Sequence, residues 1–416
     1  MDAVSAERVV GRAMADADLA EVLASRPLHV VAAGKAASAM ASAFAAVPHL
    51  SIRQAIAIGT HRHEAMPSSV EWMASSHPFP DGRSETAGER ALAVARAVPS
   101  GEVLVVLLSG GASALMASPL DGLSLADKIA ATRVMMNAGA DIHALNTVRR
   151  HLSKVKGGRL AAACVGTTVT LAISDVVGDD LNAIGSGPGV SDPTTWLDAA
   201  TAIDRFGGPE HPDHVRALVR RGVSGGIPDT PKPGHPALGR ARAAVIGSRL
   251  DAIAGAKAAA AARGYHAVVV ADAIVGEARE SGPAWLRQVE ALTATVGRPV
   301  CVISGGETTV RVTGRGTGGR NLEFVLAIAE RIAGLPGAVA AASIGTDGID
   351  GTSGVAGGIV DSTTMARARQ AGLEAPGYFL AANDSFAFFA SLDDVIRLGR
   401  TDTNVGDLQV ILIEQR

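Results

Sequence analysis

Seven short apolar segments recur along the chain, and most end in a glycine or a small polar residue and lead into helical periodicity. Their continuous rather than alternating hydrophobicity is typical of strands buried on both faces, as in parallel sheets covered by helices. The alternation of such strands with helices predicts an α/β fold. The predicted strands are 29–33, 103–108, 169–173, 243–246, 267–270, 299–303 and 339–344.

The length of 416 residues is enough for two or three domains with full-sized cores. Residues 222–239 contain four prolines and no apolar period, which makes them the best linker candidate. We therefore predict an N-terminal Rossmann-like α/β domain over residues 1–235 and a second α/β domain over residues 236–416.

Composition and charge exclude several classes of protein. Hydrophobic residues make up 47% of the chain and charged residues 19%, which excludes a disordered or fibrous protein. The net charge of -3 argues against a nucleic-acid binder that relies on bulk charge. Cys164 and Cys301 lie too far apart for a metal or redox motif, and neither a signal peptide nor an apolar run of membrane-spanning length is visible. We expect a cytoplasmic protein without a membrane or nucleic-acid partner.

Lysine is scarce, since only six of the 38 basic residues are lysines. Lys35 follows the first strand and Gly34 near the start of a predicted helix, which is a geometry suited to phosphate. The segment is not a P-loop, because that motif needs a glycine at His29 and a hydroxyl at Ala36. A solvated lysine in a turn is the alternative. No chemistry is apparent for three other lysines, Lys128, Lys232 and Lys257.

A glycine-serine loop follows the second predicted strand directly. It contains Ser109, Gly110, Gly111 and Ser113. Paired glycines let backbone amides approach a ligand closely, and hydroxyls flank them. This pattern predicts an anion or phosphate site, whereas a purely structural turn needs only one glycine.

A basic segment lies further along the chain. Asn146, Arg149 or Arg150, Ser153 and Lys156 recur every three to four residues, so they share one helix face. This face is a candidate for binding an anionic ligand, and a solvated basic helix is the alternative.

Aspartates follow two predicted strands. Asp175 and Asp179 come after one strand and precede a Gly-Ser-Gly-Pro segment that contains Ser186, while Asp347 and Asp350 come after another. Acids at strand ends are typical of sites that hold Mg²⁺ or a substrate hydroxyl in phosphotransferases. Capping of helices and turns is the alternative.

Gly314, Gly316 and Gly319 match the G-x-G-x-x-G pattern of a dinucleotide site. The next strand-end acid, Asp347, lies further from this triplet than the roughly 20 residues of that motif. The loop also carries two arginines that a tight dinucleotide turn does not require. The match alone is weak support for NAD.

In this order, the motifs resemble those of the bacterial D-glycerate 2-kinase family with a C-terminal MOFRL domain. The resemblance extends over nearly the whole chain, although Leu322 and Arg249 stand where the family usually has glutamine and asparagine. The matching segments are 108–115, 146–158, 174–179, 185–188, 305–307, 318–321 and 346–351.

The resemblance implies two α/β domains around a cleft, the second of MOFRL type. It also implies ATP with Mg²⁺ and phosphoryl transfer to the 2-hydroxyl of D-glycerate, giving 2-phosphoglycerate and ADP. Lys35 and Arg320 are then the predicted catalytic cations. The predicted substrate or nucleotide contacts are Ser109, Gly110, Gly111, Ser113, Asn146, Arg150, Lys156, Ser186, Glu307 and Asn321. The predicted metal contacts are Asp175, Asp179, Asp347 and Asp350.

Two alternatives stay open at this point. One is a NAD(P)H-dependent hydroxypyruvate reductase, which the glycine triplet favours but which lacks a convincing histidine acid with an arginine partner. The other is a non-enzymatic module that binds a nucleotide or a sugar phosphate. The sequence also leaves open whether the chain forms a homodimer.

Overall fold

The computed structural model describes residues 1–414 and contains two compact units. The N-terminal unit comprises Ala6–Ser174 and Gly178–Ile246. The C-terminal unit comprises Met1–Ser5, Asp175–Val177 and the residues from Gly247 onward. The strand after the proline-rich segment joins the N-terminal sheet, and the long C-terminal segment of the second unit begins at Gly247.

The N-terminal unit is built on a six-stranded sheet of order β3-β2-β1-β4-β5-β6. The strands from β3 to β5 run parallel, and β6 lies beside β5 at the edge. Every residue of β1, β4 and β5 is buried, as the continuous apolar runs predict. The strands are β1 (Leu28–Ala33), β2 (Ile52–Gly59), β3 (Val70–Ala74), β4 (Val103–Leu108), β5 (Thr167–Ile173) and β6 (Ala241–Gly247).

Ten α-helices belong to the described part of this unit. Side-chain caps fix the starts of five of them, α2, α4, α6, α7 and α9. Ser124, for example, forms a capping box with Asp127 on α6, and Asp141 caps α7. A second apolar core, around Trp196, holds α6, α7, α9 and α10 together. The helices are α1 (Ala6–Ala13), α2 (Ala17–Ala24), α3 (Ala37–Ala45), α4 (Gly82–Ala97), α5 (Ala112–Leu115), α6 (Leu125–Asn137), α7 (Ile142–His151), α8 (Arg159–Ala162), α9 (Trp196–Arg205) and α10 (Asp213–Val223).

The C-terminal unit contains a mixed sheet of order β12-β11-β10-β13-β9-β7, with β8 also paired to β9. Its strands are β7 (His266–Val269), β8 (Ile274–Glu277), β9 (Val300–Thr309), β10 (Val339–Gly345), β11 (Gly357–Asp361), β12 (Val395–Ile396) and β13 (Asp407–Ile413). Its helices are α11 (Arg249–Ala261), α12 (Ala278–Thr293), α13 (Arg320–Leu326), α14 (Ala329–Ala333), α15 (Thr364–Gln370), α16 (Pro376–Ala382) and α17 (Ser385–Leu392).

The predicted α/β class is confirmed, with a parallel sheet in the N-terminal unit. The expectation of parallel pairing is wrong for β10, which pairs antiparallel with both β11 and β13. Burial alternates along β10, but its three consecutive alanines read as apolar on both faces and hide that alternation. Among residues 1–414, no helix is both long and apolar enough to cross a membrane.

Candidate active site

Lys35 lies where two parallel strands of the N-terminal sheet end side by side. Ala33 at the end of β1 is in register with the last residue of β4, and the loops that follow are bonded to each other. The Lys35 amide donates to the Gly110 carbonyl at 2.8 Å, and the Ala36 amide donates to Ser109 Oγ at 3.0 Å. The predicted Lys35 loop and the predicted glycine-serine loop therefore form one structure at the carboxyl edge of the sheet, where open α/β sheets bind ligands.

Close packing explains the glycines in these loops. Gly34 has φ +136°, and a Cβ there would lie 2.1 Å from Ser109 Oγ. Gly111 has φ +85°, and its Cβ would meet the His77 ring at 3.0 Å and Lys35 Cγ at 3.5 Å. Both positions are left-handed and crowded, so they require glycine. The contact with His77 was missed by sequence reasoning, because nothing in a lone histidine before a proline marks it.

A chain of hydroxyl and amide groups connects three of the predicted binding residues. Ser113 Oγ and Ser186 Oγ lie 2.9 Å apart, and Ser186 Oγ donates to Asn146 Oδ1 at 3.0 Å. Ser186 adopts φ 62°, which costs a non-glycine residue of order 1–3 kcal/mol and is held by its surroundings. Three separate motifs of the sequence thus meet in one polar cluster, in which Ser186 and Asn146 are buried.

Lys156 adjoins this cluster and is almost fully buried. Its Nζ donates to the Ser113 carbonyl at 2.6 Å and to the Met116 carbonyl at 3.4 Å. These bonds hold the segment that carries Ser113 in place.

The two adjacent arginines of α7 have different environments. Arg150 forms a buried ion pair with Asp192, with Nε 3.2 Å from Oδ1, and donates to the Asn182 carbonyl at 3.3 Å. Arg149 has no hydrogen-bond or ion-pair partner among residues 1–414. Arg150, the predicted ligand contact, is therefore engaged in holding its own unit together, and the arginine that is available for a ligand is Arg149.

In the C-terminal unit, Arg320 lies at the start of α13 between two carboxylates. Its Nε donates to Asp407 Oδ2 at 2.7 Å, and its NH1 group is 3.1 Å from Glu307 Oε1. Asn321 donates to the other oxygen of Asp407 at 3.0 Å. Burial opposes the charge on Arg320, but Asp407 and then Glu307 outweigh it and raise the pKa of Arg320. Arg320 is thus a fixed cation, and Glu307 is a partner of that cation.

Asp350 has a structural task in the same region. Its Oδ1 accepts from the Asn321 amide at 2.9 Å, and its Oδ2 accepts from the Leu322 amide at 2.9 Å. Burial raises the pKa of Asp350 to about 6, against the lowering effect of these amide bonds. Asp350 thus fixes the start of α13, which is the capping role named as the alternative to metal binding.

The other predicted metal contacts lie in two places. Asp175 and Asp347 belong to the C-terminal unit, where Asp175 Oδ2 accepts from Asn404 at 2.8 Å and Asp347 is half-buried after β10. Asp179 belongs to the N-terminal unit. Within residues 1–414, no three His, Cys, Asp or Glu side chains are grouped as metal ligands.

The glycine triplet makes room for the chain itself. A Cβ at Gly314 would lie 2.0 Å from the Ala382 carbonyl oxygen, one at Gly316 would lie 2.3 Å from Asp384 Cβ, and one at Gly319 would lie 2.3 Å from Asp350 Cγ. Protein atoms occupy the space that such glycines leave for a pyrophosphate in a dinucleotide fold. The G-x-G-x-x-G match is therefore explained by packing.

Comparison with known proteins places this geometry in context. Two family models match the chain: a domain of unknown function, DUF4147, over residues 1–220, and the MOFRL family over residues 300–407. A protein of Agrobacterium vitis named "Putative hydroxypyruvate reductase" is 40% identical over 99% of this chain and 95% of its own. A protein of Pyrococcus horikoshii named "Glycerate 2-kinase" is 34% identical over 94% of this chain and 88% of its own. The crystal structure of a glycerate kinase from Thermotoga maritima matches with a TM-score of 0.86 and 34% identity, over 99% of this chain and 96% of the other.

Proposed function

This chain belongs to the DUF4147 family and carries a MOFRL domain, and from that premise we propose that it is an ATP-dependent glycerate 2-kinase. The reaction transfers the γ-phosphoryl group of ATP to the 2-hydroxyl of D-glycerate. The observation that carries the proposal is the bonded pair of loops that fixes Lys35 at the carboxyl edge of the N-terminal sheet. The names of the Pyrococcus and Thermotoga relatives support the same reaction.

Phosphoryl transfer needs in-line positioning and neutralisation of the charge on the transferring oxygens. Lys35 supplies a compact point charge that can follow a phosphoryl group, whereas the planar fork of Arg320 suits a carboxylate or a phosphate. Asp407 and Glu307 orient that fork before any ligand binds. In this proposal each cation stabilises negative charge from a fixed position.

Magnesium is part of the proposal, because a divalent cation bound here would neutralise charge on the nucleotide phosphates. Mg²⁺ is usually held by one or two carboxylates together with substrate phosphates and water, so a site without three grouped acids fits it. Asp350 is engaged by α13, and Asp407 is engaged by Arg320 and Asn321. Of the predicted metal contacts, Asp347 and Asp175 in the C-terminal unit are the carboxylates that would hold the metal, although Asp175 also accepts from Asn404 and Asp347 from the Ile349 amide.

The name of the Agrobacterium relative suggests one competing activity, the reduction of hydroxypyruvate. The packed glycine triplet weighs against it, because the motif that favoured a dinucleotide has a structural explanation. The decisive experiment incubates the purified protein with D-glycerate, ATP and Mg²⁺, and separately with hydroxypyruvate and NADH. We expect ADP and 2-phosphoglycerate from the first mixture and no NADH oxidation in the second. L-Glycerate is the control for stereochemistry, and NADH oxidation without ADP release would overturn the proposal.

A first variant tests the role of Lys35. Lys35→Arg keeps the positive charge but replaces a point charge with a wide planar group, so we expect kcat to fall by about 100-fold or more. The melting temperature is expected to stay within a few degrees of the wild type. Lys257→Arg, on the exposed side of α11, is the matched control and should leave kcat unchanged. Near-normal turnover in a folded Lys35→Arg variant would contradict the point-charge role.

A second variant tests the fork of Arg320. Arg320→Lys preserves a cation beside Asp407 and so avoids a stranded buried carboxylate, but it cannot contact Asp407 and Glu307 in the same geometry. We expect kcat/KM for D-glycerate or ATP to fall about tenfold or more. Arg315→Lys, on the exposed preceding loop, is the control. Unchanged kcat and both KM values in Arg320→Lys would show that the fork is not needed.

A further inference from the structure

A buried lysine without a partner lies on α6 of the N-terminal unit. Lys128 is on the same face of the helix as Ala131 and Met135, and both of these belong to the apolar core shared with α7. Lys128 is only 7% exposed, and its Nζ has no hydrogen-bond partner among the described residues. Burying an amino group without a hydrogen-bond partner destabilises the folded state, so a function is a reasonable explanation for it.

The groups that act on Lys128 are mostly cations. Arg149 on α7 and Arg159 on α8 repel its charge, while Glu85 on α4 is the acid that attracts it. The guanidinium of Arg159 is engaged by the carbonyl of Ser153, at 2.6 Å, at the end of α7. On the far side of α6, the histidine of α10 that faces this helix, His214, contacts Asp127 instead of Lys128.

Lys156 is the third cation of this group and is almost fully buried, as Lys128 is, whereas Arg149 is partly buried. Burial, and then the charges of Lys128 and Arg149, lower the pKa of Lys156. The helices that carry Lys128 and Arg149, α6 and α7, pack against each other in the apolar core around Trp196. Lys156 in turn bonds to the Ser113 carbonyl and thereby contacts the hydroxyl chain of Ser113, Ser186 and Asn146. Three cations and two serine hydroxyls accordingly share one part of the N-terminal unit.

We propose that Lys128, Arg149 and Lys156, called here the cation cluster, form a subsite that binds an anionic group of a small molecule. The ligand group is a carboxylate or a phosphate, because both are recognised by converging cations and hydroxyls. Its assignment to D-glycerate or to the nucleotide rests on the proposed function, whereas the anion site itself does not. Lys128 and Arg149 would contact the anion directly, and Lys156 would also position the Ser113 segment.

Protonation should be coupled to binding at this site. Burial, together with the charge of Arg149, lowers the pKa of Lys128 to about 7. A bound anion would favour the charged form, so Lys128 should take up a proton when the ligand enters above neutral pH. At pH 8 we expect up to about one proton taken up per ligand bound.

The test uses the full chain in calorimetric titrations with D-glycerate, ADP and inorganic phosphate as separate probes, at pH 8 and in buffers of different ionisation enthalpy. The variants are Lys128→Met and Arg149→Met, with Lys257→Met as the matched control on an exposed helix face. We expect Kd for one organic ligand to rise at least tenfold in both variants and not in the control. A rise for D-glycerate identifies the carboxylate as the bound group, and a rise for ADP identifies a phosphate. Proton uptake should be present in the wild type and lost in Lys128→Met.

The opposite results overturn the proposal. They are unchanged affinities in both variants, or an affinity loss without any proton uptake in the wild type. Arg149→Met serves as the second variant because Arg149 is only partly buried and has no internal partner to lose. Failure of the proposed function gives a different result. If the wild type lacks kinase activity but still binds phosphate through the cation cluster, the subsite stands and the proposed kinase activity is refuted. If the wild type is an active kinase but both variants keep the wild-type Kd values, the proposed function stands and the anion subsite is refuted.

Discussion

Arg320 of the C-terminal unit and two cations of the N-terminal unit, Lys128 and Arg149, have opposite environments. In the C-terminal unit, Arg320 is bonded to Asp407 and contacts Glu307, and these acids raise its pKa. In the N-terminal unit, Lys128 and Arg149 lack such partners, and burial lowers the pKa of Lys128 to about 7 and that of Arg149 to about 10. The cost of burying a charge is compensated by acids at Arg320 and left uncompensated at Lys128 and Arg149.

This difference separates two uses of a positive charge. A cation with built-in acids keeps its charge and its orientation at all ordinary pH values, which suits a group that must be preorganised. A buried cation without an acid is held in a high-energy state that an incoming anion can relieve. The predictions that follow test whether the pairing of each cation, rather than its burial, decides its contribution to stability.

Arg150 and Arg149 offer the largest contrast, since they are adjacent on one helix. The side chains of Arg150 and Asp192 are 7% and 0% exposed. Arg150→Ala would strand the Asp192 charge and should lower the free energy of unfolding by about 3–5 kcal/mol, near the lower value because Thr194 and Thr230 also donate to Asp192. Arg149→Ala should cost under about 1 kcal/mol. Urea denaturation measures the free energy of unfolding of both variants. Equal losses of stability would show that pairing with Asp192 does not distinguish Arg150 from Arg149.

The uncompensated charge of Lys128 predicts a pH dependence of stability. Its pKa is about 7 in the folded protein against 10.5 for an ordinary lysine side chain, so the unfolded chain binds more protons between these values. The free energy of unfolding should therefore rise with pH across that window, with a contribution of up to about 1.4 kcal/mol per pH unit. Lys128→Met should remove this contribution, while Lys257→Met should not. Unfolding measured at several pH values from 7 to 10 checks it, and parallel profiles for wild type and Lys128→Met would refute it.

The sequence was a good guide to the fold and to the outline of the site. Continuous apolar runs predicted the buried strands β1, β4 and β5, because a parallel strand that is covered on both faces needs apolar residues at every position. Ligand binding at strand ends then predicted that the loops of Lys35 and Ser109 would be important, and the structure joins them directly. These inferences needed only local patterns and a general rule of topology.

The burial of individual cations could not be predicted in that way. The helix that carries Lys128 has apolar residues on most of its faces, so its sequence does not reveal which face is buried. Arg149 and Arg150 are adjacent and point about 100° apart, so the packing of α7 decides which one meets Asp192. Asp350 likewise resembled a metal ligand until its bonds to the α13 amides were known. Each of these assignments depends on contacts between residues far apart in the sequence.

The substitution Glu307→Gln, which removes one acid from Arg320, should have the smallest effect on stability. Glu307 is 39% exposed and Arg320 is 31% exposed, so solvent screens their interaction. We expect a loss of about 0–1 kcal/mol in the free energy of unfolding, because the buried bond from Arg320 to Asp407 remains. The KM values for D-glycerate and ATP should change less than about threefold if Glu307 acts only as a partner of Arg320. A tenfold rise in one KM without a loss of stability would mean that Glu307 contacts a ligand, and the C-terminal cation would then share its acid with the substrate.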